Sequence, residues 1–296
     1  MSIIKDYYGH KGKEKTYLEI YSTDENLNKT VHRQLSGADA YDTWHLSDLL
    51  KEIMVYDSLM TDTISLDKIP RKEKNLILYL LLLLLDKQVS VWELGSSLFE
   101  MIEGLKLVEK FFSQKKMNTI EFVDKIRFRG IEISDLLSKA SVKLHKNYDI
   151  KIFPDIEKIE GNFDILYDRN VSSYAFTDAK GLSQFINKFN ICYMNLLVSR
   201  NESFSTIRLG KRHTYFSLKE LIKQTEKQIF HLFGYKAPVP LNIHEPNADK
   251  NVIEGFFLIC DKNFAESFYQ MSLRDKEVSE YFTEKKISLN LAENLL

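Results

Sequence analysis

The sequence predicts an α/β fold: a mostly parallel sheet with helices on both faces and a helical segment ahead of it. Three observations carry this prediction. From Gln88 onward, short apolar runs of strand length alternate with amphipathic helical stretches, the pattern of strand–helix–strand units. Residues 1–86 show helical periodicity and no convincing strand. After the last capped helix, HLFGYKAPVPL and NVIEGFFLICDK follow one another with only a loop between them. Such a pair closes the sheet as an antiparallel hairpin, because a parallel return needs a crossover.

Two helices are expected in the N-terminal part. Thr43–Asp57 starts at Asp42 and Thr43 and places Leu46, Leu49, Leu50, Ile53 and Met54 at helical spacing. Pro70–Leu85 opens with proline in its first turn, where the missing N–H costs little. Five parallel strands are expected at Val89–Leu94, Arg127–Ile133, Asp149–Phe153, Phe163–Tyr167 and Ile191–Val198. Local start signals mark the helices between them: Ser134 before DLLSKASVKLH, Thr177–Asp178 before AKGLSQFINKF, and a Ser217/Glu220 capping box before LKELIKQTEKQIF. The tail reads as one or two amphipathic helices, FAESFYQMSL and KEVSEYFTEKK. The chain thus divides into a helical cap or lid (1–86), an α/β core (87–262) and a C-terminal helical extension (263–296).

Composition narrows the function. With 44% apolar residues, 28% charged residues and a formal charge of −1, the chain reads as a soluble globule and not as a dedicated nucleic-acid binder, which would be basic. Its 296 residues suffice for one large domain or one domain with an appendage. Cys192 and Cys260 each sit in an apolar run and read as buried thiols of a reducing compartment. No Cys/His spacing suits a metal. The run Leu76–Leu85 is the one membrane suspect, but ten residues fall short of the roughly 20 that a span needs, so a buried helix is expected. With no signal-like segment in residues 1–15, a cytoplasmic location is expected.

In an open α/β sheet the ligand lies beyond the carboxyl ends of the strands, where the strand order reverses. The residues just after each strand are therefore the candidates. VSVWELGSS supplies Glu93, Gly95, Ser96 and Ser97 at a strand-to-helix junction whose free N–H groups suit a nucleotide-like ligand. GIEIS supplies Glu132, placed to accept from both hydroxyls of a ribose, with Ile133 beside it. FPD supplies Asp155, and FDILYDRNVSSYAF delivers Tyr167, Asp168 and Arg169 to the floor of a cleft. Each has a plainer reading: Glu132 as a solvated strand-end acid, Asp155 as an ordinary loop residue, Gly95 as a tight turn alone. Glu93 is harder to explain away, since an acid inside VSVWELG lies close to the core.

The order ELGSS, GIEIS with a capped helix, FPDIEKI, FDILYDRNVSSYAF, then a helix and a final hairpin resembles the class I S-adenosylmethionine-dependent methyltransferases over about residues 87–262. The resemblance implies a Rossmann-like, seven-stranded sheet with an antiparallel last strand and S-adenosyl-L-methionine held across the first strands. It implies that Glu93 and Gly95 line the methionine portion, Glu132 the ribose and Asp155 the adenine edge; Ser96, Ile133 and Tyr167 complete the expected cofactor-binding set. Two departures stand out. The family's first loop carries three alternating glycines, whereas Ser97 and Phe99 stand here at the second and third places. The 37 residues from Gly95 to Glu132 also exceed the roughly 20 of a minimal unit, so an added helix or loop is expected in Asn118–Lys125.

Methyl transfer to an alcohol needs a base, and histidine is suited near neutral pH. His213, in LGKRHTYFS, and His244, in LNIHEPN, are expected in loops on the acceptor side, and His45 would reach the cleft if the N-terminal helices form a lid. A solvated loop histidine is the competing reading for each. Asp168 and Tyr174 are further acceptor-side candidates. Lys211 and Arg212, next to His213, suit an anionic acceptor such as a sugar phosphate, or else form a solvated basic turn. Tyr7, Tyr8, Tyr41 and Trp44 would build a lid wall or pack in a core. The reading is a methyltransferase for a small polar acceptor, O-methylating a sugar or a sugar-phosphate or nucleotide-linked metabolite, such as a surface-polysaccharide precursor. It implies no nucleic-acid partner and no membrane span, and leaves a homodimer open. The alternatives are a catalytically silent methyltransferase-like subunit and a dinucleotide-dependent oxidoreductase.

Overall fold

The structure, a computed structural model, describes residues 55–56, 58–60, 63–85, 88–115, 122–132, 134–156, 163–169, 171–208, 211–235 and 251–296. Parallel strands β1 (Ser90–Leu94), β2 (Arg127–Ile131), β3 (Asp149–Phe153), β4 (Phe163–Asp168) and β5 (Phe189–Ser199) form the centre of the sheet in the order β3-β2-β1-β4-β5. Past β5 a short hairpin follows, β6 (Phe204–Arg208) and β7 (Lys211–Ser217), and then β8 (Gln228–Tyr235) and β9 (Val252–Cys260). Strand β9 lies between β5 and β8, antiparallel to both. Five parallel strands and a closing antiparallel hairpin are thus found where the sequence places them. Two additions were not expected: the β6–β7 hairpin, and the two-residue β10 (Asn290–Leu291), which pairs with β8 at the edge.

The helices are α1 (Lys72–Leu85), α2 (Glu100–Gln114), α3 (Asp135–Leu144), α4 (Ser172–Ala175), α5 (Ala179–Ile186), α6 (Leu218–Gln224), α7 (Lys262–Ser272) and α8 (Lys276–Glu284). Three predicted caps are in place: Ser134 Oγ accepts from Leu137 N–H, Asp178 Oδ1 from Gly181 N–H and Ser217 Oγ from Glu220 N–H. Period-2 alternation sends Val91, Tyr167 and Tyr193 to one face of the sheet, under α1, α2, α7 and α8. Trp92, Leu166 and Met194 go to the other face, under α5 and α6. A helix that is apolar all round belongs inside. Accordingly α1 buries every residue from Asn75 to Leu82, and among the described residues no helix is long and apolar enough to cross a membrane.

The tail helices lie on the α1 face and contribute Phe268, Val278 and Phe282 to its core. Lys115, just past α2, pairs with Asp275 and Glu277 at the start of α8, each at 2.9 Å. Cys192 and Cys260 are buried, unbridged thiols, and burial pushes Cys260 up to about 12. The helix Thr43–Asp57 falls almost wholly outside the described residues, as do Tyr7, Tyr8, Tyr41 and Trp44. In the interval Asn118–Lys125 the described part is a single 3-10 turn, Val123–Lys125.

Helices α1 and α2 meet at Gly104, where an added methyl carbon would stand 2.3 Å from Asn75 Nδ2. That amide is held by its bond to Pro70 O at 3.0 Å, which a shift would break. Gly104→Ala is therefore expected to cost about 1–3 kcal/mol by overpacking, more than the ~1 kcal/mol that alanine gains in helix propensity. Urea unfolding measures the difference. An unchanged or higher midpoint would mean that α1 slides freely on α2.

Candidate functional site

The strand order reverses at β1, which sends the chain to β2 and β3 on one side and to β4 and β5 on the other. The crevice between the tips of β1 and β4 is where such a sheet takes its ligand. Beyond β1 the chain turns through three left-handed residues, Gly95 (φ 67°), Ser97 (φ 49°) and Phe99 (φ 53°), before α2 begins at Glu100. Only glycine adopts this region without cost, and a side chain there costs about 1–2 kcal/mol. Gly95 is needed twice over, since a Cβ there would meet Val171 Cγ2 at 2.6 Å. The Phe99 ring is accommodated because β2 carries Gly130 beneath it, where a Cβ would lie 2.7 Å from Phe99 Cζ. The chain thus keeps left-handed backbone at alternate positions 95, 97 and 99, although only the first is glycine.

Glu132 holds this turn. Its carboxylate is buried at the β2 tip, with Oε2 accepting from Ser97 N–H and Oε1 from Ser134 N–H, both at 2.9 Å. The solvated-acid reading of Glu132 is therefore set aside. Gly95 N–H and Ser96 N–H both donate to Ile131 O, tying β1's exit to β2's end.

At the crevice itself the structure assembles an ionic cluster. Glu93 is fully buried, and Arg169, just past β4 and 14% exposed in its side chain, places Nη2 at 3.0 Å from Glu93 Oε1. Its Nη1 donates to Glu100 Oε1 at 2.6 Å. Burial pushes Glu93 up to about 8 against the pull of Arg169. Burial also works against charge on Glu100, yet the Arg169 guanidinium holds it below the ordinary carboxylate value. Neither Glu93 oxygen, nor Glu100 Oε2, nor Ser96 Oγ accepts a hydrogen bond among the described residues. A buried acceptor left in this state invites a donor.

The other candidates separate. Asp168, fully buried, spends its carboxylate on the N–H groups of Val171 (2.7 Å) and Ser172, fixing the start of α4; burial pushes it up to about 6. The structure thus engages Asp168 as a cap. Tyr167 packs beneath the crevice, stacked on Tyr193 with centroids 5.7 Å apart. Asp155 is exposed beyond β3. His213 is a correction to the sequence reading: it lies in strand β7 and not in a loop, opposite Thr206 and buried. Tyr174 of α4 brings its hydroxyl to 3.5 Å from His213 Nε2, with the rings edge to face at 4.6 Å. Lys211 and Arg212 likewise stand at the start of β7 and not in a free turn; their side chains lie outside the described residues, as do Ile133, His45 and His244.

The hairpin has a definite position. β7 runs parallel to β5 only at Val198–Ser199, beyond the level at which β4 ended opposite Met194. It therefore continues the line of β4 and walls the far side of the crevice. Sequence reasoning missed Glu100, which reads as an ordinary first-turn helix acid, and Asn195, which is hidden in a strand.

Ser97→Gly removes the left-handed strain at the cost of a freer unfolded chain. We expect a net gain of about 0.5–1 kcal/mol by chemical denaturation. Gly95→Ala is expected to lose stability in the same assay. A destabilised Ser97→Gly would show that the turn is held by the serine side chain and not by its backbone.

Neither a protein-family model nor a curated protein matches the sequence. Among solved structures, the O-methyltransferase of a trans-AT polyketide synthase multienzyme from Brevibacillus brevis, in complex with S-adenosyl-L-homocysteine, is 12% identical with TM-score 0.44, over 73% of this chain and 85% of that one. The N-terminal domain of EvdMO1 with S-adenosylhomocysteine bound is 8% identical, TM-score 0.42, over 64% and 80%. The bifunctional kinase-methyltransferase WbdD is 13% identical with TM-score 0.39, over 64% of this chain, and this chain spans 39% of its length.

Proposed function

We propose that the protein is an S-adenosyl-L-methionine-dependent methyltransferase acting on a small polar acceptor, a sugar or a sugar-phosphate or nucleotide-linked metabolite, at oxygen. The observation that carries the proposal is the left-handed turn at 95, 97 and 99, fastened by Glu132, at the reversal point of the sheet. The residues fit such a cofactor. Buried acceptors without hydrogen bonds on Glu93 and Glu100 suit a cationic donor, and Glu132 stands at the β2 tip where a ribose would lie. When bound, the cofactor supplies an activated methyl group on a sulfonium.

The chain's own residues then have three tasks. Glu100, ion-paired with Arg169, and Glu93, which gives up its proton as a cation arrives, favour positive charge in the crevice. The buried packing of Tyr167 and of the α4 turn held by Asp168 keeps that crevice in shape. His213 accepts the acceptor's hydroxyl proton, and Tyr174 orients the imidazole. The silent-subunit alternative draws on the missing glycines, and the left-handed backbone kept at 97 and 99 weighs against it.

Two measurements test the reading. Titration calorimetry is expected to show S-adenosylhomocysteine and S-adenosylmethionine binding, with Glu132→Ala weakening both by about 1–3 kcal/mol. NAD binding in their place would favour the oxidoreductase. Near pH 7 free Glu93 is largely protonated, because burial holds its pKa at about 8. A cation arriving beside it lowers that value, so binding should release a proton and the measured enthalpy should depend on the buffer. The release should fade well above pH 8 and vanish in Glu93→Gln. Buffer-independent enthalpy at neutral pH would place the cation elsewhere. For catalysis, His213→Ala should lower kcat by about 10²–10⁴-fold with cofactor affinity retained; undiminished turnover would remove His213 from the role.

A further inference from the structure

A cavity of about 490 Å³ opens beside Asn195, at the β5–β9–β8 end of the crevice. Register places it. Glu93 pairs with Tyr167 and Tyr167 with Tyr193, so the three share a face, and Asn195 lies two residues beyond Tyr193 on that same face. On β7, His213 alternates with Tyr215, which clusters with Leu197, two residues beyond Asn195. The cavity and His213 therefore belong to one side of the sheet.

Its lining has a mixed chemistry. Gly234 of β8 and Gly255 of β9 pair beside Asn195, and their strands approach so closely that a Cβ at 234 would stand 2.3 Å from Gly255 Cα. Phe233 and Phe256 stack at 4.8 Å and give an apolar wall, and Lys74 Nζ lies 4.9 Å from the Phe256 centroid. Burial, with Arg71 and Arg169 nearby, holds Lys74 down to about 8. Glu254, Glu73 and Lys285 complete the rim, so among the described residues two lysines face two carboxylates. Asn195 is 9% exposed, and its Oδ1 has no hydrogen-bond partner among the described residues. An amide oxygen so placed calls for a donor.

We propose that this cavity is the acceptor pocket and holds a neutral polyhydroxylated ring, a sugar without phosphate on the ring itself. Hydroxyls both donate and accept, which matches a lining of amide, carboxylate and ammonium groups. A ring's C–H face suits the phenylalanine wall, and Glu73 and Glu254 in the lining oppose a phosphate. Its role as acceptor pocket rests on the methyltransferase reading; binding of the sugar does not.

The test is saturation-transfer NMR on the full chain with methyl glycosides of glucose, galactose, mannose, fucose and rhamnose, beside glucose 6-phosphate and inorganic phosphate. At least one neutral glycoside should bind, and Glu254→Gln and Asn195→Ala should each weaken it tenfold or more, with the chain still folded by circular dichroism. Binding of the phosphates alone, no glycoside binding, or glycoside binding indifferent to both substitutions would overturn the proposal. S-adenosylhomocysteine titrated into the same samples separates the two readings. Cofactor binding without sugar binding removes the pocket proposal alone, and sugar binding without cofactor binding leaves a sugar site and removes the methyltransferase.

Discussion

Two carboxylates buried side by side at the tip of the central strand cannot both be charged against the single Arg169 guanidinium, so Glu100 keeps its charge while burial holds the proton on Glu93. Glu93 comes from β1, Glu100 from the first turn of α2 and Arg169 from the exit of β4. The cluster therefore fastens the two halves of the sheet at the place where its strand order reverses. Removing one partner from such a group typically costs about 3–5 kcal/mol, because a buried charge is left without its counterpart. Three carboxylate oxygens of the cluster accept no hydrogen bond among the described residues, although Glu93 Oε1 keeps its ion-pair contact with Arg169 at 3.0 Å.

The surrounding backbone serves the same crevice. Glu132 orders the left-handed turn that carries Glu100 into place, Asp168 orders α4, and α4 brings Tyr174 against His213 on the added hairpin. Because β7 takes up the line that β4 leaves, one strand position supplies the ionic cluster below and the imidazole above. At the β9–β8 end a cavity opens beside Asn195.

Much of this was legible in the sequence. The five parallel strands stood out because alternating apolar runs recur at strand–helix intervals, and the caps at Ser134, Asp178 and Ser217 because short polar side chains before apolar periodicity have a local cause. Glu93 and Glu132 were legible as strand-tip acids. The β6–β7 hairpin was not: FSTIR and KRHTYFS are short and rich in polar residues, so His213 read as a loop residue although cross-strand pairing buries it. The Glu100–Arg169 contact joins residues 69 apart in the chain, and the pairing depends on which strands are neighbours. Nor does a missing glycine reveal that Ser97 and Phe99 keep the glycine conformation, since that rests on Gly130 across the sheet and on a carboxylate from another strand.

The most direct test of the proposal that strand-tip acids hold one adenosyl cofactor is a crystal structure with S-adenosylhomocysteine. The account predicts the ligand across the ends of β1 and β2, its ribose hydroxyls on Glu132 and its amino group facing Glu93. A ligand bound away from these two carboxylates, with the Glu93–Arg169–Glu100 cluster untouched at saturation, would contradict it.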